Sequence, residues 1–232
     1  SEMCIRDRSD LAEVNGQLFY AASVNGFGDE LWTTDGTPGG ESLFADLAPG
    51  SASSYPTGMI SFGGGVLCRA ATSSTGSELF FSDGTPAGTV VIDIVPGPAS
   101  STPGGMTVLG SEVFFAAEGD GVGVEPWVTD GSHAGTHIVD DLAYVPFDQS
   151  SYPAELVNLG DRIVFTADDG LNGEELWVTD GTTGGTRQLL DIVPPDGFSS
   201  QAPRYLTEMG GRAYFRADDD GPYGDELWVT DG

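Results

Sequence analysis

Both faces of one short, recurring segment are apolar. In Gln17-Leu18-Phe19-Tyr20-Ala21-Ala22 one face carries Leu18, Tyr20 and Ala22 while Phe19 stands on the other; in Arg162 to Ala167 the faces carry Ile163, Phe165 and Ala167 against Val164. Val66 to Ala70, Val113 to Ala117 and Arg212 to Ala217 repeat the arrangement. A strand in a sheet covered on one side alternates apolar with polar residues, so this pattern predicts a strand packed on both faces. Small sheets stacked face to face satisfy it.

Turn signals place three further strands around each such segment, here termed strand B. Strand A is the short run before a glycine turn, as in Leu156 to Leu159 before Gly160-Asp161 and Tyr205 to Met209 before Gly210-Gly211. Strand C opens on a glutamate and ends at Asp-Gly, whose glycine tolerates positive φ in a hairpin. Strand D follows a Thr-x-x-Gly-Thr turn, as in Val90 to Ile94 and Gln188 to Ile192. Loops built on Ser53-Ser54-Tyr55-Pro56, Ser100-Ser101-Thr102-Pro103, Ser150-Ser151-Tyr152-Pro153 and Ser199-Ser200-Gln201-Ala202-Pro203 lead onward. Four-stranded meanders repeated radially predict an all-β fold, a β-propeller. Its antiparallel blades span about 9–48, 49–97, 98–146 and 147–196, with an incomplete fifth at 197–232. The fifth lacks strand D, and Ser1 to Asp10 offers no run of strand formers to complete it. The expectation is a fragment of a larger propeller, or an open arc with exposed edges.

Strand C carries the most regular feature of the chain. Glu30-Leu31-Trp32-Thr33-Thr34-Asp35-Gly36, Glu78-Leu79-Phe80-Phe81-Ser82-Asp83-Gly84, Glu125-Pro126-Trp127-Val128-Thr129-Asp130-Gly131, Glu175-Leu176-Trp177-Val178-Thr179-Asp180-Gly181 and Glu226-Leu227-Trp228-Val229-Thr230-Asp231-Gly232 are five copies of one phrase, their glutamates 48, 47, 50 and 51 residues apart. A period near 50 residues marks one supersecondary unit that buries its apolar faces against its neighbours. The phrase, followed by Gly-Thr and most complete in Glu175 to Thr186, resembles the ELWxxDGT repeat of large bacterial surface and secreted proteins, over residues 11 to 232. That resemblance implies a propeller-like extracellular module, sometimes grouped with hyalin-like or adhesion proteins, with no catalytic residues to carry over. Departures are local: Phe80 replaces the tryptophan, Pro126 the leucine, Ser132 the threonine and Gly40-Glu41 the Gly-Thr. Pro126 removes a ladder donor, so the third strand C is expected to start late or to sit at a bulge.

Composition limits the function classes. Of 232 residues, 35 are Gly and 14 Pro, which suits short strands and tight turns. Thirty-six acidic residues face eight basic ones, all arginine, for a net charge of −28. Such a field repels nucleic acid and anionic membranes and attracts cations and basic partners; its plainest role is to keep the surface solvated. No apolar run approaches the ~20 residues of a membrane span. Residues 1–8, Ser1 to Arg8, match nothing in the repeat and read as a non-native tail. They contain Cys4. The other cysteine, Cys68, fills a slot held elsewhere by Tyr20, Phe115, Phe165 and Phe215, so it reads as core, with no disulfide or redox motif.

The repeated polar and aromatic residues read as scaffold. Trp32, Trp127, Trp177 and Trp228 share one slot, and a residue demanded once per blade is expected to pack. Asp35, Asp83, Asp130, Asp180 and Asp231 precede a turn glycine and support it through their own backbone. The five glutamates are expected to bond a neighbouring turn; equivalent carboxylates do not supply the two unlike environments a glycosidase needs. His133 and His137 flank one turn and are expected at the surface.

The repeats disagree in the loop between strands B and C. It reads Asp168-Asp169-Gly170-Leu171-Asn172-Gly173-Glu174 in the fourth copy, Asp218-Asp219-Asp220-Gly221-Pro222-Tyr223-Gly224 in the fifth and Glu118-Gly119-Asp120-Gly121 in the third. Clustered carboxylates with glycines are what Ca²⁺ requires, so Asp168, Asp169, Glu174, Asp218, Asp219 and Asp220 are candidate ligands for weak Ca²⁺ binding, although the spacing is not that of an EF-hand and no cofactor is required. In a meander the B–C and D–A loops emerge on one face and the A–B and C–D turns on the other. A ligand, protein or glycan, is therefore expected among Tyr55, Glu118, Asp120, Tyr152, Asn172 and Tyr223. The sequence favours a non-catalytic extracellular binding or adhesion module, joined to further blades of the same polypeptide. The alternatives are a structural spacer, or a polysaccharide-active enzyme using a central channel, for which Arg204 with Glu208 on strand A is the one hint.

Overall fold

The computed structural model describes residues 10–24, 26–143, 150–171, 173–192, 202–218 and 224–232. The tail 1–8, with Cys4, and the loop residues Asn172, Asp219, Asp220 and Tyr223 lie outside them. Among the described residues the regular elements are strands and two 3-10 turns.

Blade 1 comprises β1 (Leu11–Val14), β2 (Gln17–Val24), β3 (Gly28–Thr34) and β4 (Ser42–Ala45), and blade 2 comprises β5 (Thr57–Phe62), β6 (Gly65–Thr72), β7 (Gly76–Ser82) and β8 (Thr89–Ile92). Blade 3 follows with β9 (Gly104–Leu109), β10 (Glu112–Gly119), β11 (Gly123–Thr129) and β12 (His137–Ile138), and blade 4 with β13 (Ala154–Asn158), β14 (Ile163–Asp168), β15 (Glu174–Thr179) and β16 (Arg187–Leu190). Blade 5 has β17 (Arg204–Glu208), β18 (Ala213–Ala217) and β19 (Glu226–Thr230). Each is an antiparallel meander in chain order. No helix among the described residues is long and apolar enough to cross a membrane.

Two compact units result, Ser1–Gly104 with Asp130–Thr136 and Gly105–Thr129 with His137–Gly232. In the first, Phe19 and Leu31 of blade 1 pack on Val66, Cys68, Ala70 and Phe80 of blade 2, and Phe44 meets the Phe19 ring edge-on at 5.0 Å. In the second, Phe114 and Val128 of blade 3 pack on Ile163, Phe165 and Trp177 of blade 4. The other face of blade 4, through Val164, Leu176 and Val178, packs on Ala213, Phe215 and Trp228 of blade 5. Within each unit one face of a B–C strand pair thus meets the opposite face of the next, and blade 4 is packed on both faces, which is why both of its faces are apolar. Each such side chain contributes about 1.5–3 kcal/mol on burial. Burial also drives the Cys68 thiol up to about 12, and that cysteine is free and buried, as its core slot requires.

Strand ends differ from the sequence expectation for local reasons. β3, β7 and β11 begin two residues before their glutamates, because the B–C hairpins of blades 1 to 3 stay paired as far as Val24 opposite Gly28, Thr72 opposite Gly76 and Gly119 opposite Gly123. Strand D stops short of Ile94 and Ile192, since the amides of those residues donate to the Glu78 and Glu175 carboxylates instead of a ladder. Pro126 neither delays β11 nor bulges its pairing with β10, where it sits opposite Ala116 in unbroken register. Its carbonyl accepts from Val139 N–H, and a strand residue's N and O point the same way, so the missing donor faces strand D. The cost falls there: β12 is two residues long.

Candidate functional site

The loop from strand D to the next strand A is built from two serines, an outward residue and a proline. Ser54, Ser101 and Ser151 are fully buried, and Pro56, Pro103 and Pro153 are buried as well. Between them Tyr55, Thr102 and Tyr152 face outward with φ of 48°, 46° and 48°. Left-handed backbone is uncommon for residues other than glycine and persists only where the surroundings impose it.

Those surroundings are the repeated glutamates. Glu30, Glu78 and Glu125 are each fully buried. Glu30 accepts the amides of Leu47 (2.8 Å) and Ser54 (3.0 Å) and the Ser54 hydroxyl (2.7 Å). Glu78 accepts from Ile94 and from the Ser101 amide and hydroxyl, and Glu125 from Leu142 and the Ser151 amide and hydroxyl. Burial raises all three carboxyls, Glu125 to about 6, while the serine and amide donors offset part of the rise. The preceding serine works on the same strand: Ser53, Ser100 and Ser150 accept at Oγ from the amides of Asp29, Ser77 and Val124. The buried serines also reach the next blade, since the Ser54 carbonyl accepts from Ala71 N–H and that of Ser151 from Asp168 N–H. Glycine admits this approach: a Cβ on Gly28 would lie 2.0 Å from the Ala52 carbonyl oxygen, and on Gly76 2.1 Å from that of Ala99. The D–A and B–C loops therefore share one end of each blade, as meander parity predicts.

On that end, in the first unit, lies a groove of about 440 Å³ between the loop carrying Leu47, Pro49, Ser53 and Tyr55 and the segment Ala71 to Ser74. No described residue that lines it is charged at neutral pH. Ala71 to Ser77 carry no charged residue, so composition gives no cue to this loop. The available signal was the near-constant separation of the serine from the glutamate, 24, 23 and 26 residues, which fixes where Tyr55 must stand.

The acidic loops are differently disposed. Asp168 accepts from Gly170 N–H at 2.7 Å, Asp169 from Leu171 N–H at 2.8 Å, and Glu174 accepts from the Thr166 hydroxyl. Asp218 is half-buried, and Glu118 and Asp120 are exposed. Among the described residues no three His, Cys, Asp or Glu side chains come together as a metal site would need. Arg204 and Glu208 stand at opposite ends of β17, and Glu208 accepts from Gly211 N–H in its own turn.

The remaining repeated residues are scaffold. Trp32 and Trp177 are buried, and the indole N–H of Trp177 donates to Ala167 O and that of Trp228 to Ala217 O. Asp35, Asp83, Asp130 and Asp180 each accept from the amide and hydroxyl two residues on. Those bonds hold the carboxyls of Asp35, Asp83 and Asp180 below the usual aspartate range. His133 and His137 are exposed.

No known family profile and no curated protein matches this chain in sequence. Solved structures do match it in shape. Puromycin hydrolase complexed with PGG superposes with a TM-score of 0.53 at 19% identity, covering 93% of this chain and 37% of that one. A prolyl endopeptidase structure gives 0.57 at 9% identity, covering 96% and 35%. The β-propeller domain of the Trilobed protease from Pyrococcus furiosus, which has an open velcro topology, gives 0.51 at 9% identity, covering 97% and 69%. The chain thus spans little more than a third of the first two proteins. At such identities the likeness concerns fold alone, and with the five meanders above it makes this chain a β-propeller of four complete blades and a partial fifth.

Proposed function

We propose that the chain is a non-catalytic binding module of the extracellular or surface type, whose ligand, a glycan or a protein, meets the blade end formed by the B–C and D–A loops. The observation that carries this reading is the buried–exposed–buried order of the Ser-Ser-x-Pro loops. The fold fixes the serines and the proline, yet presents Tyr55 and Tyr152 to solvent at 63% and 66% exposure on left-handed backbone whose amides donate to Asp29 O and Val124 O. Rigid aromatic side chains on a preorganised loop suit recognition, because little is lost in ordering them. The repeated carboxylates are occupied in structure, which weighs against the hydrolase alternative. Weak Ca²⁺ binding by Asp168, Asp169, Glu174 and Asp218 to Asp220, and attachment of further blades, belong to the same proposal.

A glycan and protein array probed with the 232-residue chain, with and without Ca²⁺, tests it. Replacing Tyr55 and Tyr152 by threonine and Asp168 and Asp169 by asparagine together should abolish the signal, whereas changing His133 and His137 on the turns at the opposite strand ends should not. Retention of binding in the first variant refutes the reading.

A further inference from the structure

Resting on that reading, we infer that the groove between blades 1 and 2 is a subsite for a neutral saccharide, with Tyr55 as the platform on which a sugar ring lies. The groove volume falls in the range of small-ligand sites, which are mostly apolar with a few placed polar groups. Here the apolar part is Leu47, Pro49 and the Tyr55 ring, and the rim is Thr72, Ser73 and Ser74. Thr72 is spoken for within its own turn, its Oγ1 accepting from the amides of Ser74 and Thr75. Ser73 and Ser74 are exposed; the Ser74 hydroxyl is shared with Thr72 Oγ1 at 3.0 Å, and Ser73 adds a hydroxyl to the groove lining. A sugar ring offers the complement, a face of C–H groups with hydroxyls around its edge.

Charge narrows the class. In a chain of net charge −28 an anionic ligand is repelled, and a cation would prefer the Asp168-Asp169 loop, which follows the next tyrosine-bearing copy, Ser150-Ser151-Tyr152, to this uncharged groove. The second copy of the loop separates scaffold from recognition. Thr102 holds the same left-handed backbone, with φ 46°, and its amide donates to Ser77 O as that of Tyr55 donates to Asp29 O. The backbone conformation therefore gives no reason for an aromatic ring at position 55.

Tyr55→Thr copies a residue the fold already accepts in this slot, and so keeps the protein folded; an unchanged melting temperature verifies that. The probe is a panel of neutral hexose oligosaccharides, with uronic-acid oligosaccharides and a lysine-rich peptide as charged controls, each titrated calorimetrically at millimolar concentration. Neutral oligosaccharides should bind, uronic-acid ones should not, Tyr55→Thr should weaken binding by about tenfold or more, the effect of losing one ring–ring-sized contact, and His137→Ala, at the opposite strand ends, should leave it within about twofold. Absence of neutral-sugar binding overturns the inference, as does equal binding by Tyr55→Thr. If binding appears only with the peptide, the subsite is wrong while the loop-face reading stands. If array binding also survives the combined loop-face variant, both fall.

Discussion

Ser54 and Glu30, 24 residues apart, are joined twice: the Ser54 hydroxyl donates to one carboxylate oxygen at 2.7 Å and its amide to the other at 3.0 Å. The same double link ties Ser101 to Glu78 and Ser151 to Glu125. Since Ser54 O and Ser151 O also accept from the following blade, this clasp fixes the strand C of one blade to the strand B of the next. Ser151→Ala should cost roughly 1.5–3 kcal/mol, the worth of a hydrogen bond to a charged group. Glu125→Ala should cost more, because it removes the acceptor of the buried Leu142 amide together with both Ser151 links. Urea unfolding monitored by tryptophan fluorescence gives both values.

The clasp carries a pH signature of defined sign. Burial raises the Glu125 carboxyl to about 6, above its ordinary 4.5, so the native state holds that proton more tightly than the unfolded chain. The stability from this group is complete below pH 4.5 and is lost as pH rises through 6. About 2 kcal/mol is involved. Net repulsion among the acidic residues runs in the same direction, so the measurement is the difference between the wild type and Glu125→Gln across pH 4 to 7.5. The wild type should lose stability relative to the variant over that interval. A difference that is flat with pH would show that the carboxyl is not raised.

The turns give the opposite sign. Asp83, Asp35 and Asp180 have lowered carboxyls because the threonine two residues on donates twice. Their contribution is present above the unfolded aspartate value and disappears as pH falls through the lowered one. Asp83→Asn keeps an acceptor oxygen for Thr85 and should be milder than Asp83→Ala in thermal melts at pH 7. At a pH low enough to protonate Asp83 the wild type and Asp83→Asn should converge, both then offering Thr85 a neutral acceptor, while Asp83→Ala stays less stable.

How much of this was legible beforehand follows from what each feature depends on. The doubly apolar B strand and the Asp-Gly turns are local patterns, and they led directly to four-stranded blades. The place of the repeated tryptophan in the core followed from its recurrence. The clasp was harder: a glutamate and a serine some 24 residues apart carry no local pattern, and only the fold shows that Gly28 passes within contact of Ala52. The acidic loops drew attention through composition, yet Asp168 and Asp169 bond their own turns. The uncharged Ala71 to Ser74 offered no such cue. Pro126 was rightly suspect, but which ladder it weakens depended on the direction of its carbonyl.

The close passage at Gly28 yields a fourth prediction. A methyl group there meets the Ala52 carbonyl at 2.0 Å, on a backbone with φ of 72°, so Gly28→Ala combines a clash with a left-handed strain of about 1–3 kcal/mol. Gly36→Ala shares only the strain, having φ of 80° and no atom within 4 Å of the added carbon. The Gly28 variant should therefore be clearly the less stable of the two in denaturant unfolding, and equal midpoints would mean that the loops do not approach as described.

The fifth blade supplies the last. Leu227 and Val229 occupy the slots of Leu176 and Val178, which are 1% and 3% exposed, yet are themselves 78% and 51% exposed. A row of apolar side chains on an uncovered sheet face is an association hazard. Replacing a buried leucine by a charge places an unpaired carboxylate among Val164, Ala213 and Phe215, so Leu176→Glu should prevent folding. Leu227→Glu adds a charge to a solvated face and should shift stability by no more than about 0.5 kcal/mol. It should also reduce concentration-dependent self-association in sedimentation velocity. Were Leu227→Glu as damaging as Leu176→Glu, the outer face of this blade would have to be covered within the chain itself.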